Sequence, residues 1–174
     1  MEPSGSAPLT NPMKILDFTK QHAAALIATL SIGSVAIALV LQHSFGMQPC
    51  AWCTVQRLIY LVIGVIALIA AFPLGVLSSR ILMGLIVLLS FLGIVAALYQ
   101  HFVASNSSSC ALSFADKLMI KSGLDGGIPW LFQATALCQD ANIPLAGVPF
   151  AIWSLALFAL LGVIAARAAI TSKA

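Results

Sequence analysis

Apolar positions gather into four long runs, near Ala23–Gln42, Leu58–Leu77, Ile81–Tyr99 and Val148–Ala166. Each is long enough to cross a hydrocarbon core of about 30 Å at about 1.5 Å of helical rise per residue. The pattern therefore predicts an all-α membrane protein, a four-helix transmembrane bundle. Only Ser78, Ser79 and Arg80 separate the second run from the third, which predicts an antiparallel hairpin. Gly33, Gly64, Gly84, Gly93 and Gly162 lie inside the runs and suit close helix contact. Pro73, near the end of the second run, is a candidate kink. The first run is too long for the apolar region of a secretory signal, about 7–15 residues, and the polar, Pro-rich stretch Met1–Thr10 reads as a disordered tail. The expected organisation is a tail over 1–22, a single membrane domain over 23–169 and a second tail over 170–174.

Two polar intervals, 43–56 and 100–147, share one side of such a bundle. In the longer one Leu112, Ala115 and Met119 recur at helical spacing, with Asp116, Lys117 and Lys121 interleaved. That stretch predicts a short amphipathic helix lying at the membrane interface. Asn106–Ser109 and Gly123–Gly127 read as turning links around it.

Lys14, Lys20, Arg80, Arg167 and Lys173 fall on one side of the bundle, and Arg57 on the other. Lys117 and Lys121 sit deep in a long loop, where they weigh little. The bias puts both termini in the cytoplasm and both polar intervals outside. Composition agrees: 61% of residues are hydrophobic and 7% charged, against about 25% charged in soluble domains. The net charge of +3 comes with no basic run, which argues against nucleic acid as a partner.

All four cysteines, Cys50, Cys53, Cys110 and Cys138, fall in the outer intervals, consistent with an oxidising compartment. Cys50 and Cys53 form a C-A-W-C pair after Pro49, just ahead of the second apolar run. Cys53 is thus expected near the first turn of a helix, where unsatisfied backbone N–H groups favour a thiolate. Arg57 follows four residues later, on the same face if the helix continues. A cation there favours the same thiolate and can polarise the carbonyl of an electron acceptor at the lipid boundary. The plainer role for such an arginine is an interfacial snorkel or phosphate anchor, and the adjoining Gln56 and cysteine pair weigh against it.

Trp52 suits depth anchoring. An all-thiolate zinc site is disfavoured because Cys110 and Cys138 are not closely spaced, and pure bracing by disulfides is disfavoured by a C-x-x-C at a helix mouth. His43 and His101 each follow a glutamine at the outer end of a run. His101 is the better candidate, because it stands where the third run meets the cysteine loop.

The run L-Q-H-S-F-G-M-Q-P-C-A-W-C-T-V-Q-R (Leu41–Arg57) resembles the first outer loop of the bacterial disulfide bond formation protein B family, DsbB. D-G-G-I-P-W-L-F (Asp125–Phe132), then Cys138, then V-P-F-A-I-W-S-L (Val148–Leu155) resemble its second loop and fourth span. The resemblance implies an inner-membrane enzyme that re-oxidises a soluble periplasmic DsbA-type thiol oxidase and passes the electrons to a membrane quinone, ubiquinone or menaquinone. It implies that Cys110 and Cys138 form the loop disulfide, with Cys110 taking the partner's mixed disulfide. Electrons then pass to Cys50–Cys53, with Cys53 as the thiolate that meets the quinone and Arg57 as the arginine that contacts it. His101 matches a histidine near the quinone.

Two other readings compete. A vitamin K epoxide reductase-like quinone reductase also has four spans and two cysteine pairs, but its C-x-x-C follows the loop cysteines, whereas here it precedes them. A non-catalytic membrane binding or assembly protein would carry cysteines that stay oxidised whatever the state of a partner.

Overall fold

The computed structural model describes residues 12–72, 75–106, 113–137, 140, 144–145 and 147–171. Cys110, Leu112, Cys138 and Pro73, on which expectations were placed, lie outside the described residues. The elements are α1 (Pro12–Phe45), α2 (Ala51–Ala70), α3 (Val76–Phe102), a 3-10 turn (Ala104–Asn106), α4 (Phe114–Lys121), α5 (Leu124–Gly127), α6 (Pro129–Phe132), β1 (Pro144–Leu145), β2 (Val148–Pro149) and α7 (Phe150–Thr171). Among the described residues α1, α2, α3 and α7 are long and apolar enough to cross a membrane. The four-helix bundle expected from the apolar runs is the observed architecture.

Boundaries differ from the pattern for identifiable reasons. α2 begins at Ala51 rather than Leu58, because its polar residues find partners inside the bundle: Thr54 Oγ1 donates to the Ala51 carbonyl at 2.8 Å, while Gln56 and Arg57 bond to neighbouring helices. Ser78, Ser79 and Arg80 are not the turn between spans but part of the first turns of α3, which starts at Val76. Val148 pairs with Leu145 in a two-stranded antiparallel hairpin, so α7 starts only at Phe150. Gly147 at φ +82° makes that hairpin's turn, a conformation open to glycine at little cost.

α3 packs most extensively on α7, and α1 on α2. Their shared core holds Ile27, Ile63, Met83, Ile86, Phe158 and Leu161. The outward faces carry exposed Ile37, Leu88, Phe91 and Val163, apolar surface whose natural solvent is lipid. Small residues set the closest approaches. A Cβ on Gly93 would fall inside the Phe158 ring, which itself stacks on Tyr60 with centroids 4.0 Å apart. Gly64 admits Ile32 and Ser31 of α1, and Gly162 admits Ser90 of α3. Gly33 and Gly84, grouped with these on sequence, face open space instead.

The expected short helix of the second outer loop is α4. Ser113 and Asp116 form a reciprocal capping box at its start. Ala115 and Met119 are buried against Ala51, Val55 and Phe132, whereas Phe114 and Ile120 point outward. One apolar seam thus docks α4 on the mouth of α2 and leaves a second apolar edge exposed.

Candidate active site

Pro49 holds the chain extended into Cys50, which caps α2 with φ −87° and ψ 171°. The Cys50 carbonyl accepts the Thr54 N–H at 3.1 Å, so Cys53 is the third residue of the helix. One turn then brings the two sulfurs to 3.2 Å, as free thiols in hydrogen-bond contact. Cys50 is fully buried beside Ala104, Trp52 and Ala136. Its thiol is pushed well above the usual cysteine range, first by the hydrogen bond to Cys53 and then by burial. This contact and burial both favour the protonated form of Cys50. The Cys53 sulfur also accepts from Gln100 Nε2 of α3, at 3.2 Å.

Arg57 lies one turn further along α2 and is 6% exposed. Its Nη1 donates to Gln42 Oε1 of α1 at 2.6 Å and to the Leu131 carbonyl of α6 at 3.1 Å. Both partners are neutral oxygens. They fix the guanidinium in place without cancelling its charge, and a buried cation that meets no carboxylate among the described residues favours a neighbour that is or becomes negative, the Cys53 sulfur or a ligand.

Cys53, Gln56, Arg57 and Tyr60 line one wall of a cavity of about 450 Å³. α1 supplies Ser34, Ala38 and Leu41, α7 supplies Trp153, Ser154 and Leu157, and Met47–Pro49 close the outer end. Ile37 and Leu160 line it while also standing on the outward surface, so the cavity opens between α1 and α7 toward lipid. A mostly apolar cavity of this size with a few polar groups in its wall suits a flat, mostly apolar molecule bearing ring oxygens. Tyr60 and Ser154 are joined across it, with the Tyr60 hydroxyl donating to the Ser154 carbonyl at 3.0 Å.

Of the residues singled out on sequence, Cys50, Cys53 and Arg57 come together. His101 ends up at the close of α3, edge-on to Phe102, and is not among the cavity-lining residues; its Nδ1 is buried without a hydrogen-bond partner. His43 sits in contact with the Leu39 carbonyl at an exposed position. Trp52 packs on Tyr99 with ring centroids 4.7 Å apart.

Sequence reasoning missed Gln100 and Gln42, whose only signal was a glutamine at the outer end of each of two apolar runs. The second loop is tied to the cysteine mouth: the Pro49 carbonyl accepts the N–H groups of Thr135 at 3.0 Å and Ala136 at 3.2 Å, and the Thr135 hydroxyl bonds Gln48.

The family model described as disulfide bond formation protein DsbB matches residues 20–168. Curated relatives carry the name disulfide bond formation protein B. The one from Ralstonia nicotianae is 33% identical over 132 residues, covering 75% of this chain and 81% of its own. The one from Cupriavidus necator is 32% identical over 131 residues, with 75% and 80% covered. The one from Nitrosomonas europaea is 32% identical over 144 residues, with 80% and 87% covered. With a helix-mouth cysteine pair, a bundle of four membrane-length helices and a match along most of its length, the chain belongs to the DsbB family of disulfide bond formation proteins.

Proposed function

We propose that this membrane disulfide-forming oxidoreductase re-oxidises a soluble periplasmic thiol oxidase of the DsbA type and passes the electrons to a membrane quinone. The observation that carries the reading is the shared cavity: Cys53 and Arg57 face one apolar space that opens toward lipid. A soluble acceptor would need no such opening, and a lipid-soluble one would. The bias of lysines and arginines supports an inner-membrane orientation with the termini cytoplasmic and the cysteines periplasmic. On this reading residues 23–169 form the single membrane domain.

The sequence of exchanges follows the resemblance. The partner's dithiol attacks the Cys110–Cys138 disulfide at Cys110, forming a mixed disulfide that resolves to the partner's disulfide and a loop dithiol. That dithiol then reduces Cys50–Cys53 by a second exchange. The strap from Pro49 to Thr135 and Ala136 supports this step, because it anchors the second loop beside the first pair. Oxidation of the Cys50–Cys53 dithiol re-forms its S–S bond and releases two electrons and two protons, which the quinone, when bound, takes up as quinol. Cys53 presents its sulfur to the cavity, Cys50 retains a proton, and Arg57 offers positive charge where a ring oxygen gains negative charge. The place of His101 near that oxygen rests on the resemblance, since its ring packs on Phe102 and does not line the cavity.

Photolabelling with an azidoquinone checks the cavity. Label is expected on peptides containing residues 34–41, 53–60 and 150–160, with competition by unmodified quinone. Label that is confined to other segments, or that excess quinone does not displace, removes the cavity from the proposal.

A further inference from the structure

Two buried amides link Cys53 to the interior of the bundle. Gln56 of α2 is 3% exposed and Gln100 of α3 is 2% exposed. Gln56 Nε2 donates to Gln100 Oε1 at 2.6 Å, and Gln100 Nε2 donates to the Cys53 sulfur at 3.2 Å. Taking an amide into a membrane-spanning bundle is costly unless it is bonded, so the pair needs a reason beyond filling space. A bridge between α2 and α3 would be served by the first bond alone. The second bond goes to one of two neighbouring sulfurs, and only to that one.

We infer that Gln100, oriented by Gln56, makes the cysteine pair unequal by supplying Cys53 with the N–H donor that holds negative charge on its sulfur. The inference deepens the proposed function, since the sulfur so selected is the one that faces the cavity. Its physical basis is the order of donors along the chain of bonds. An amide has one oxygen and one NH₂ group. With the Gln100 oxygen occupied by Gln56, its NH₂ group is the end left to face Cys53. A hydrogen bond from N–H to a charged sulfur is stronger than one to a neutral thiol. On the other side stands the Cys50 sulfur at 3.2 Å, in a contact in which either thiol can donate. The amide donor reaches Cys53 and not Cys50.

Glutamine suits this task better than an ionisable residue. A carboxylate at position 100 would set like charge against the sulfur, and an ammonium would add a second buried cation beside Arg57. The amide supplies a donor and adds no net charge. If both amides turn over together, Gln100 presents its oxygen instead, which accepts from the neutral thiol. The same pair therefore satisfies Cys53 in both protonation states. Gln100 touches the reacting sulfur directly; Gln56 is a positioning residue that acts through it.

The test is alkylation of Cys53 by iodoacetamide in the reduced full-length protein, read residue by residue by mass spectrometry. Gln100→Met removes the donor and the helix bridge together, and Gln56→Met removes the bridge alone. At neutral pH Gln100→Met is expected to slow Cys53 alkylation by about ten-fold, the factor carried by one hydrogen bond to a charged group. Gln56→Met is expected to stay within about three-fold of the parent, because the Gln100 donor survives. In strongly alkaline solution all three proteins alkylate alike.

Gln100→Glu keeps the size and the bond from Gln56 but turns an oxygen toward the sulfur, and it slows the reaction as well. Equal slowing by the two methionine variants, or unchanged alkylation in folded Gln100→Glu protein, overturns the inference and leaves the pair as a bridge. No quinone enters this assay. Failure of the quinone proposal therefore leaves the alkylation result standing, and failure here leaves the photolabelling result standing.

Discussion

Cys53→Ser is expected to lose quinone reduction by at least about a thousand-fold, as removal of a reacting nucleophile commonly does. The reason is positional as well as chemical. Both cysteines belong to the pair, but Cys53 is the one that lines the cavity. Serine retains the size and a hydroxyl, yet it forms no S–S bond and is not ionised at neutral pH. The cavity, Arg57 and the fold stay in place, so quinone binding survives while electron transfer does not. Cys50→Ser stops turnover too, because no intramolecular disulfide can close, yet it leaves Cys53 open to alkylation. Loss of quinone absorbance under a reduced DsbA-type partner measures the first effect. Residual turnover above about a tenth of the parent in Cys53→Ser would assign the electron transfer to some other group.

The second large effect belongs to Arg57. Its guanidinium carries five N–H donors, and the two on Nη1 are taken by Gln42 and Leu131. The remaining donors and the uncancelled charge are available to the cavity that Arg57 lines. Arg57→Met is therefore expected to raise the quinone KM by about 10–100-fold, the range of one to two charge-assisted hydrogen bonds. Arg57→Lys keeps the charge but not the fork that reaches both neutral anchors, and falls between the two. Because Arg57 also joins α1, α2 and α6, thermal unfolding is measured beside the kinetics. A KM unchanged in folded Arg57→Met protein would separate this arginine from the acceptor site.

The bundle was legible because lipid imposes a simple pattern: four apolar runs, each long enough to span. What the pattern misread were places where polar residues are satisfied inside the protein. Thr54, Gln56 and Arg57 precede the apolar run that opens at Leu58, yet hydrogen bonds within α2 and to α1, α3 and α6 let them sit within the helix expected to open near Cys53. Ser78–Arg80 looked like a turn, although a helix's opening residues need not be apolar.

The local part of the site was also legible. Positions 50, 53 and 57 lie three and four residues apart on one helix mouth, so spacing alone puts them together. Gln42, Gln100, Tyr60 and Ser154 were not, because each joins the site through a contact between helices that no local spacing encodes. Gly33 and Gly84 teach the same lesson in reverse: their composition suited close packing, but they fall on faces with no neighbour.

On the proposed function, electrons from a partner's dithiol leave through Cys53 to a quinone in the membrane. That route is tested most directly by counting, without oxygen, the quinol formed against the partner disulfide formed by the purified full-length protein. The expected result is one quinol for each disulfide, as a two-electron couple requires, with none formed by Cys53→Ser. Partner disulfide that accumulates beyond the protein's own cysteines with no matching quinol would contradict it, since the electrons would then have left by another route.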